Sequence, residues 1–488
     1  MVLQREFTNP VWGRAEPGEV VTVSISGQTR SATTGDDGRW RVLLDPLPVG
    51  GPHRMAIEGS NTIHIEDILV GDVWLCSGQS NMQWTVERSK DSDLERLLAD
   101  HPKIRFLMVP NRVAQSDDES LPASWLVCSP ETVGPSYAVA YFFAKTVHKA
   151  TGVPIGLLES ASGGSAIESW IPRSTLEADG RFDPLLESWD ERIEQYDEEA
   201  DRDRYQKLLD ARAAAAERAK AAGLPEPSYP WPPVVHPAES NNRPANCYHG
   251  MIAPVAGYGL KGVLWYQGES NADRAYQYRE LFPVLIQSWR GLWQRDELPF
   301  YWVQLAGFAD GGDSAWPELR EAQSRTLALP STGQALAIDV GEVDDIHPRD
   351  KQTVGRRLAR IALAREYGVE IAYENPRFAS MSVEGGKVKL TCTVEGTLEA
   401  HNGWAPKGFE IAGADRVFHP AEAKIVAADR IVVWSESVVE PVAVRYAWAR
   451  NPVGNVRSAV GLPLDPFRTD DWEGVTAGKQ RKPAGFGP

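Results

Sequence analysis

The chain has 488 residues, 42% of them hydrophobic and 24% charged, the profile of a soluble globular protein too long for one compact core, so two or three domains are expected. A formal net charge of −16 excludes a general polyanion-binding surface, which needs a basic face to release counterions, so no nucleic-acid partner is expected, although local basic pockets stay open. No apolar run is long enough to span a bilayer, so no membrane partner is expected either.

The N-terminal Met1-Val2-Leu3-Gln4-Arg5-Glu6 lacks the basic-then-apolar pattern of an export signal. Either the protein stays inside, or the start shown omits such a signal. Residues 1 to about 68 read as short β-strands, among them Val20–Ile25 and Trp40–Leu44, separated by turn signals such as Gly35-Asp36-Asp37-Gly38. A small β-sandwich-like domain without a catalytic constellation is expected there.

From about 69 to 370 strands alternate with helices. Strands are predicted at 67–76, 103–109, 153–160, 260–266, 299–305 and 334–340, and helices at Tyr137–Ala150, Tyr276–Trp293, Pro317–Leu329 and Lys351–Tyr367. This alternation means a parallel α/β sheet. Residues about 176–240 interrupt it with a charged, Ala-rich stretch and the Pro-rich run Pro225–Pro237, read as a solvated helical excursion, with a lid over the site as the sharper reading. From about 371 to 488 the chain turns β-rich again, with Val388–Val394, Ile431–Trp434 and Val442–Tyr446 as strands. Cys76, Cys128, Cys247 and Cys392 are scattered without Cys-x-x-Cys spacing, so a zinc site is not expected; Cys76 reads as strand packing, and the count neither requires nor excludes a disulfide.

In open α/β sheets, ligand sites lie beyond the carboxyl ends of the strands. Four polar motifs fall at such ends: Ser77–Asn81, Ser160–Ser165, Gln267–Asn271 and Glu342–His347. Ser80 is the candidate nucleophile; a serine hydroxyl needs a base, and His347 is the best-placed one, with His249 the only other histidine close to a strand-end motif. Asp344, three residues before His347, can bring its carboxylate to the imidazole across one turn and fix its tautomer. Asp345 is the rival; it can instead cap the helix beginning near Lys351 or brace the loop. A dyad in which His347 leans on a backbone carbonyl is the third option. The Gly-x-Ser-x-Gly elbow is excluded, because Met82 stands where its second glycine would be. For an oxyanion hole the candidates are the Ser80 N–H, the Gly163-Gly164 backbone and the Gln267 amide. The bland alternatives are a tight turn for the glycines and a loop brace for Gln267. Glu269 reads as a loop anchor.

At these residues the sequence resembles the sialate O-acetylesterase family of SGNH/GDSL-type hydrolases, related to carbohydrate acetylesterases. The likeness lies in Gly71–Trp84, Gly163–Trp170, Asn246–Pro254, Lys261–Ala272 and Asp345–Gly355, and extends to the flanks Met1–Arg5, Pro10–Gly13, Lys407–Gly413 and Val444–Trp448. The resemblance implies a flavodoxin-like three-layer α/β/α catalytic domain with β-sandwich-like flanks, and serine catalysis with no metal and no cofactor. Ser80 falls at the family nucleophile, His347 at its base, and the glycine pair and Gln267 at its oxyanion groups. Relatives often carry an export signal before the position of Met1, and many have Asn at the position of Asp344, which favours Asp345 or a dyad.

The expected partner is an acetylated carbohydrate; the oligomeric state is open. A sialic acid carboxylate calls for a fork-shaped arginine, and Arg243, Arg274 and Arg349 lie near the motifs, although each also reads as a surface or bracing residue. Neutral acetylated glycans such as xylan are rivals, since an acidic chain does not attract an anionic sugar. The 17 tryptophans suit sugar stacking, with Trp84, Trp170 and Trp265 near the site, yet each also fits the core. Two other classes stay in view: a catalytically silent glycan-binding protein, and a metal-dependent hydrolase built on Asp344, Asp345, His347 and Glu269.

Overall fold

The structure, a computed structural model, describes residues 1–117, 121–224, 226–227, 236–309 and 315–480. Six parallel strands form its centre, in the order Thr332–Leu336, Phe300–Gln304, Gly262–Tyr266, Thr62–Gly78, Ile155–Ala161 and His101–Met108, with Leu126–Cys128 antiparallel at the edge. The first of these six strands in the sequence, Thr62–Gly78, therefore lies in the middle, and the chain leaves it in both directions. That is a topological switch point, where a crevice opens beyond the strand ends.

Register brings the loops together. Gly78 pairs with Ala161 on one side and with Tyr266 on the other. Three strands thus end level, and the loops that follow emerge side by side. Gly78 permits this approach. Its φ is +138°, and a Cβ there would lie 2.1 Å from the Tyr266 carbonyl oxygen.

The sheet is covered on both faces, as strand alternation shows. Tyr301 reaches one face, where its hydroxyl donates to Glu366 of the helix Lys351–Tyr367 at 2.7 Å. Its neighbours Phe300 and Trp302 reach the other and pack edge-on against Phe282 of the helix Ala275–Leu292. The helix Ala138–Thr151 shares the first face, where Gly355 lies against Phe142. This is the expected three-layer arrangement.

The strand Thr62–Gly78 is longer than predicted and runs through the expected boundary at 68/69. Its first half pairs antiparallel with Gly50–Glu58 of the N-terminal β-region, and its second half is the central strand of the large sheet. The N-terminal strands enclose their own buried cluster around Val23, Trp40, Leu44 and Met55. The C-terminal strands enclose another around Leu390, Ile411, Ile431 and Val444. Fully buried Arg320 stitches this last region to the sheet, donating to the carbonyls of Leu305, Ala306, Ala449 and Arg450.

In the charged excursion, the helix Asp183–Glu194 buries Leu185, Leu186 and Trp189 against the main core, while Glu198–Ala221 buries little. Much of the Pro-rich run lies outside the described residues. The four cysteines are buried and none forms a disulfide. No helix among the described residues is long and apolar enough to cross a membrane.

The turn at Gly78 makes a measurable claim. Gly78→Ala is expected to cost at least about 2 kcal/mol, because backbone must move. Gly152→Ala, at a left-handed helix cap with open space around it, should cost only about 1 kcal/mol. Urea midpoints of the two variants check the difference.

Candidate active site

Ser80 is the first residue of a single helical turn, Ser80–Gln83, that follows Gly78 and Gln79 at the end of the central strand. Gln79 ties this turn to the neighbouring loop, its Oε1 accepting from the N–H groups of Gly268 (3.2 Å) and Ser270 (3.3 Å). The Ser80 hydroxyl lies 2.9 Å from Nε2 of His347, 267 residues away in the chain. Trp84 stacks on the imidazole, with ring centroids 5.0 Å apart and planes 16° from parallel.

The carboxylate that faces the histidine is that of Asp345. Its Oδ1 accepts the His347 backbone N–H at 2.9 Å and faces Nδ1 at 3.2 Å. With Nδ1–H directed at a carboxylate, Nε2 carries the lone pair that can take the serine proton. Asp344 is not there. Glu342 and Asp345 form an isolated antiparallel bridge, which puts Val343 and Asp344 at the tip of a tight turn, both exposed. The helical turn that would have brought Asp344 back to the imidazole does not form. His347 titrates below the ordinary histidine value of 6.5 because burial outweighs the pull of Asp345, while Lys351 and Arg88 push the same way as burial.

Gly163 lies on Ser80, since a Cβ there would sit 3.5 Å from Cβ of Ser80. Its N–H donates to Oε1 of Gln83 at 3.0 Å, and its carbonyl accepts from Nδ2 of Asn241 at 2.9 Å. Gly164 is exposed and left-handed, with φ +74°. Among the described residues neither the Ser80 N–H nor the Gly164 N–H has a protein acceptor. Gln267 is elsewhere engaged. It is fully buried, and its amide group donates to the Ser165 carbonyl (3.1 Å) and to Asn271 Oδ1 (2.7 Å), which leaves it no hydrogen for an oxyanion. It braces the loops instead.

Glu269 is held below the serine turn, where Asn81 Nδ2 donates to its Oε1 at 2.6 Å and burial raises its pKa. Asn81 also donates to the Ile346 carbonyl at 3.0 Å and accepts from Lys351 Nζ at 2.5 Å. Asn81, Gln83, Asn241 and Lys351 carry no catalytic signature in the sequence, although the first two stand inside the stretch Gly71–Trp84 that also holds Ser80. His249 is turned to Asp117 at 2.7 Å. Trp170 and Trp265 are core residues meeting edge-to-face, and of the three tryptophans only Trp84 touches the His347 imidazole. Of the three arginines, Arg274 is locked to buried Glu168 at 3.1 Å, and Arg349 lies over Glu342. Arg243 is half-buried; its Nη1 donates to the Ala238 carbonyl at 3.3 Å, and its Nε has no partner among the described residues.

The family model for carbohydrate esterases described as sialic acid-specific acetylesterases matches residues 70–219 and 240–364. The chain belongs to this family. It is a carboxylic ester hydrolase of the kind that acts on carbohydrate acetyl groups. The sialate O-acetylesterase of Mus musculus is 31% identical, the alignment covering 96% of this chain and 92% of that protein, and the human one is 30% identical, covering 96% and 90%. A solved structure of a carbohydrate acetylesterase from Xanthomonas citri superposes with a TM-score of 0.82 at 37% identity, covering 96% of this chain and 97% of that one.

The two aspartates separate cleanly by experiment. Asp345→Asn should lower kcat on p-nitrophenyl acetate about tenfold to a hundredfold, whereas exposed Asp344→Asn should leave it unchanged. The acid limb of kcat/KM should lie below pH 6.5 in the parent esterase. It should move lower still in Asp345→Asn, because the carboxylate that favours the imidazolium is gone.

Proposed function

We propose that this esterase removes O-acetyl groups from sialic acids through an acetyl-enzyme on Ser80. His347 Nε2 takes the hydroxyl proton as Ser80 Oγ attacks the acetyl carbonyl carbon. Asp345 holds the imidazole and stabilises its charged form. The N–H groups of Ser80 and Gly164 receive the developing oxyanion. His347 then protonates the departing sugar oxygen, and a water that it deprotonates releases acetate from Ser80.

The observation that carries this reading is the 2.9 Å contact between Ser80 Oγ and His347 Nε2 at the sheet's switch point. The sugar class is supported by the family description and by the names of the mammalian relatives. It is also supported by Arg243, which follows Asn241 in the loop that holds the Gly163 carbonyl. A guanidinium can offer a sugar carboxylate two parallel N–H donors from its terminal nitrogens.

The test is acetate release from acetylated sialosides, acetylated xylan and simple sugar acetates, run beside Ser80→Ala. Release from sialosides that disappears in Ser80→Ala is the expected result. Retained activity in that variant would remove the mechanism, and release from xylan alone would move the substrate to neutral glycans. Arg243→Ala should raise KM for acetylated sialosides about tenfold, a loss of about 1.4 kcal/mol in binding, without a matching rise for neutral sugar acetates.

A further inference from the structure

One charged group beneath the relay has no place in that mechanism. Lys351 is fully buried and is the first residue of the helix Lys351–Tyr367, just after the capping residue Asp350. Both circumstances work against an ammonium ion. Burial strips its hydration, and the start of a helix is the positive end of the helix dipole. Its surroundings compensate in part. The Nζ lies 5.3 Å from the centre of the Tyr266 ring and 5.7 Å from that of Trp84, and it donates to Asn81 Oδ1 at 2.5 Å.

That last bond has a directional consequence. A lysine ammonium has donors only, so in its protonated form Lys351 fixes which end of the Asn81 amide faces it. With Oδ1 on Lys351, the amide NH₂ must point the other way. There it donates to the Ile346 carbonyl at 3.0 Å and to Glu269 at 2.6 Å. Asn81 follows the nucleophile directly, and Ile346 directly precedes the base. One side chain thus ties the serine turn to the histidine loop at the residues adjoining both reacting groups.

We propose that Lys351 is a positioning residue, which by orienting the Asn81 amide holds His347 Nε2 on Ser80 Oγ. The inference rests on the roles given above to Ser80 and His347. A second effect comes from the same placement. The cation lies beside Trp84, whose ring is stacked on the imidazole, and so disfavours the imidazolium, with Arg88 acting in the same sense and Asp345 in the opposite one. The carboxylates that face Lys351 are Glu269, Asp345 and Glu342; burial lowers the lysine pKa to about 7 against their pull.

Lys351→Met should reduce kcat on p-nitrophenyl acetate about tenfold or more and change KM less than about threefold. Its acid limb in kcat/KM should move to higher pH, since a positive charge near His347 has been removed. Asn81→Asp is the variant that keeps a partner for the ammonium. A carboxylate still accepts from Lys351 but has nothing to donate to the Ile346 carbonyl, so kcat should fall in a protein that remains folded. In the double variant Lys351→Met/Asn81→Ala, the loss in kcat should be no larger than in Asn81→Ala alone. Losses that multiply would overturn the proposal. So would a folded Lys351→Met variant with unchanged kcat and acid limb, or Asn81→Asp with full kcat if Lys351→Met does not fold. Full activity in Ser80→Ala would instead remove the underlying mechanism. Inactive Ser80→Ala beside fully active Asn81→Asp would remove only the role of Lys351.

Discussion

The chemistry depends on how closely the central strand approaches its neighbour at Gly78. At that level the chain leaves the sheet with a left-handed φ, almost touching the Tyr266 carbonyl, and two residues later presents Ser80. A side chain at position 78 would push the two strands apart. The equal ending of the three strands would be lost with it, since Gly78 is the residue paired with both Ala161 and Tyr266. Ser80, the glycine pair and the Gln267–Asn271 loop therefore inherit their relative positions from backbone pairing rather than from side-chain packing. Such pairing is stiff and holds the ends of these loops in one arrangement.

His347 arrives differently. His347 belongs to the segment after Thr332–Leu336, a strand separated from the central one by two others, and no regular element supports it between there and Asp350. It is held by cross-bonds instead. The Val343 carbonyl accepts from Ala309 N–H at 2.9 Å, the Arg349 carbonyl from Lys90 N–H at 2.8 Å, and the Ile346 carbonyl from Asn81. Each bond offsets part of the entropy of ordering a loop. The bond from Asn81 is the one that joins it to the serine turn. A buried polar cluster of this kind contributes little net stability, because desolvation cancels much of the attraction, but it selects one arrangement among many.

Most of the fold was legible in the sequence because the strands are short apolar runs and the helices carry their period. The helix predicted over Lys351–Tyr367 has those bounds, and the others lie within a few residues. The sequence shows the strand Thr62–Gly78 as shorter than it is because its first half is largely exposed and resembles a surface strand, while its second half is buried and mostly apolar. Ser80 and His347 could be picked out because each is a reactive side chain in a polar turn after a buried strand. What was not legible is direction. Gln267 stands at a strand end beside a glycine, as an oxyanion donor would, yet its side chain goes beneath the loops rather than out of them. Lys351 reads as the ordinary first-turn residue of an amphipathic helix, and nothing in its neighbours says that it is buried.

The choice between Asp344 and Asp345 shows the same limit in its smallest form. Spacing alone favours three residues, because a helical turn returns a carboxylate to the imidazole at that distance. The chain uses an extended bridge between Glu342 and Asp345 instead, and in that geometry the residue two before the histidine accepts both its backbone N–H and its ring nitrogen. One carboxylate oxygen then sets the loop conformation and the tautomer together. The Asp345 side chain is about half exposed, at 47%, so water shares the task of stabilising the imidazolium. Its larger contribution is directional, and losing the carboxylate should misplace the proton more than it weakens the charge.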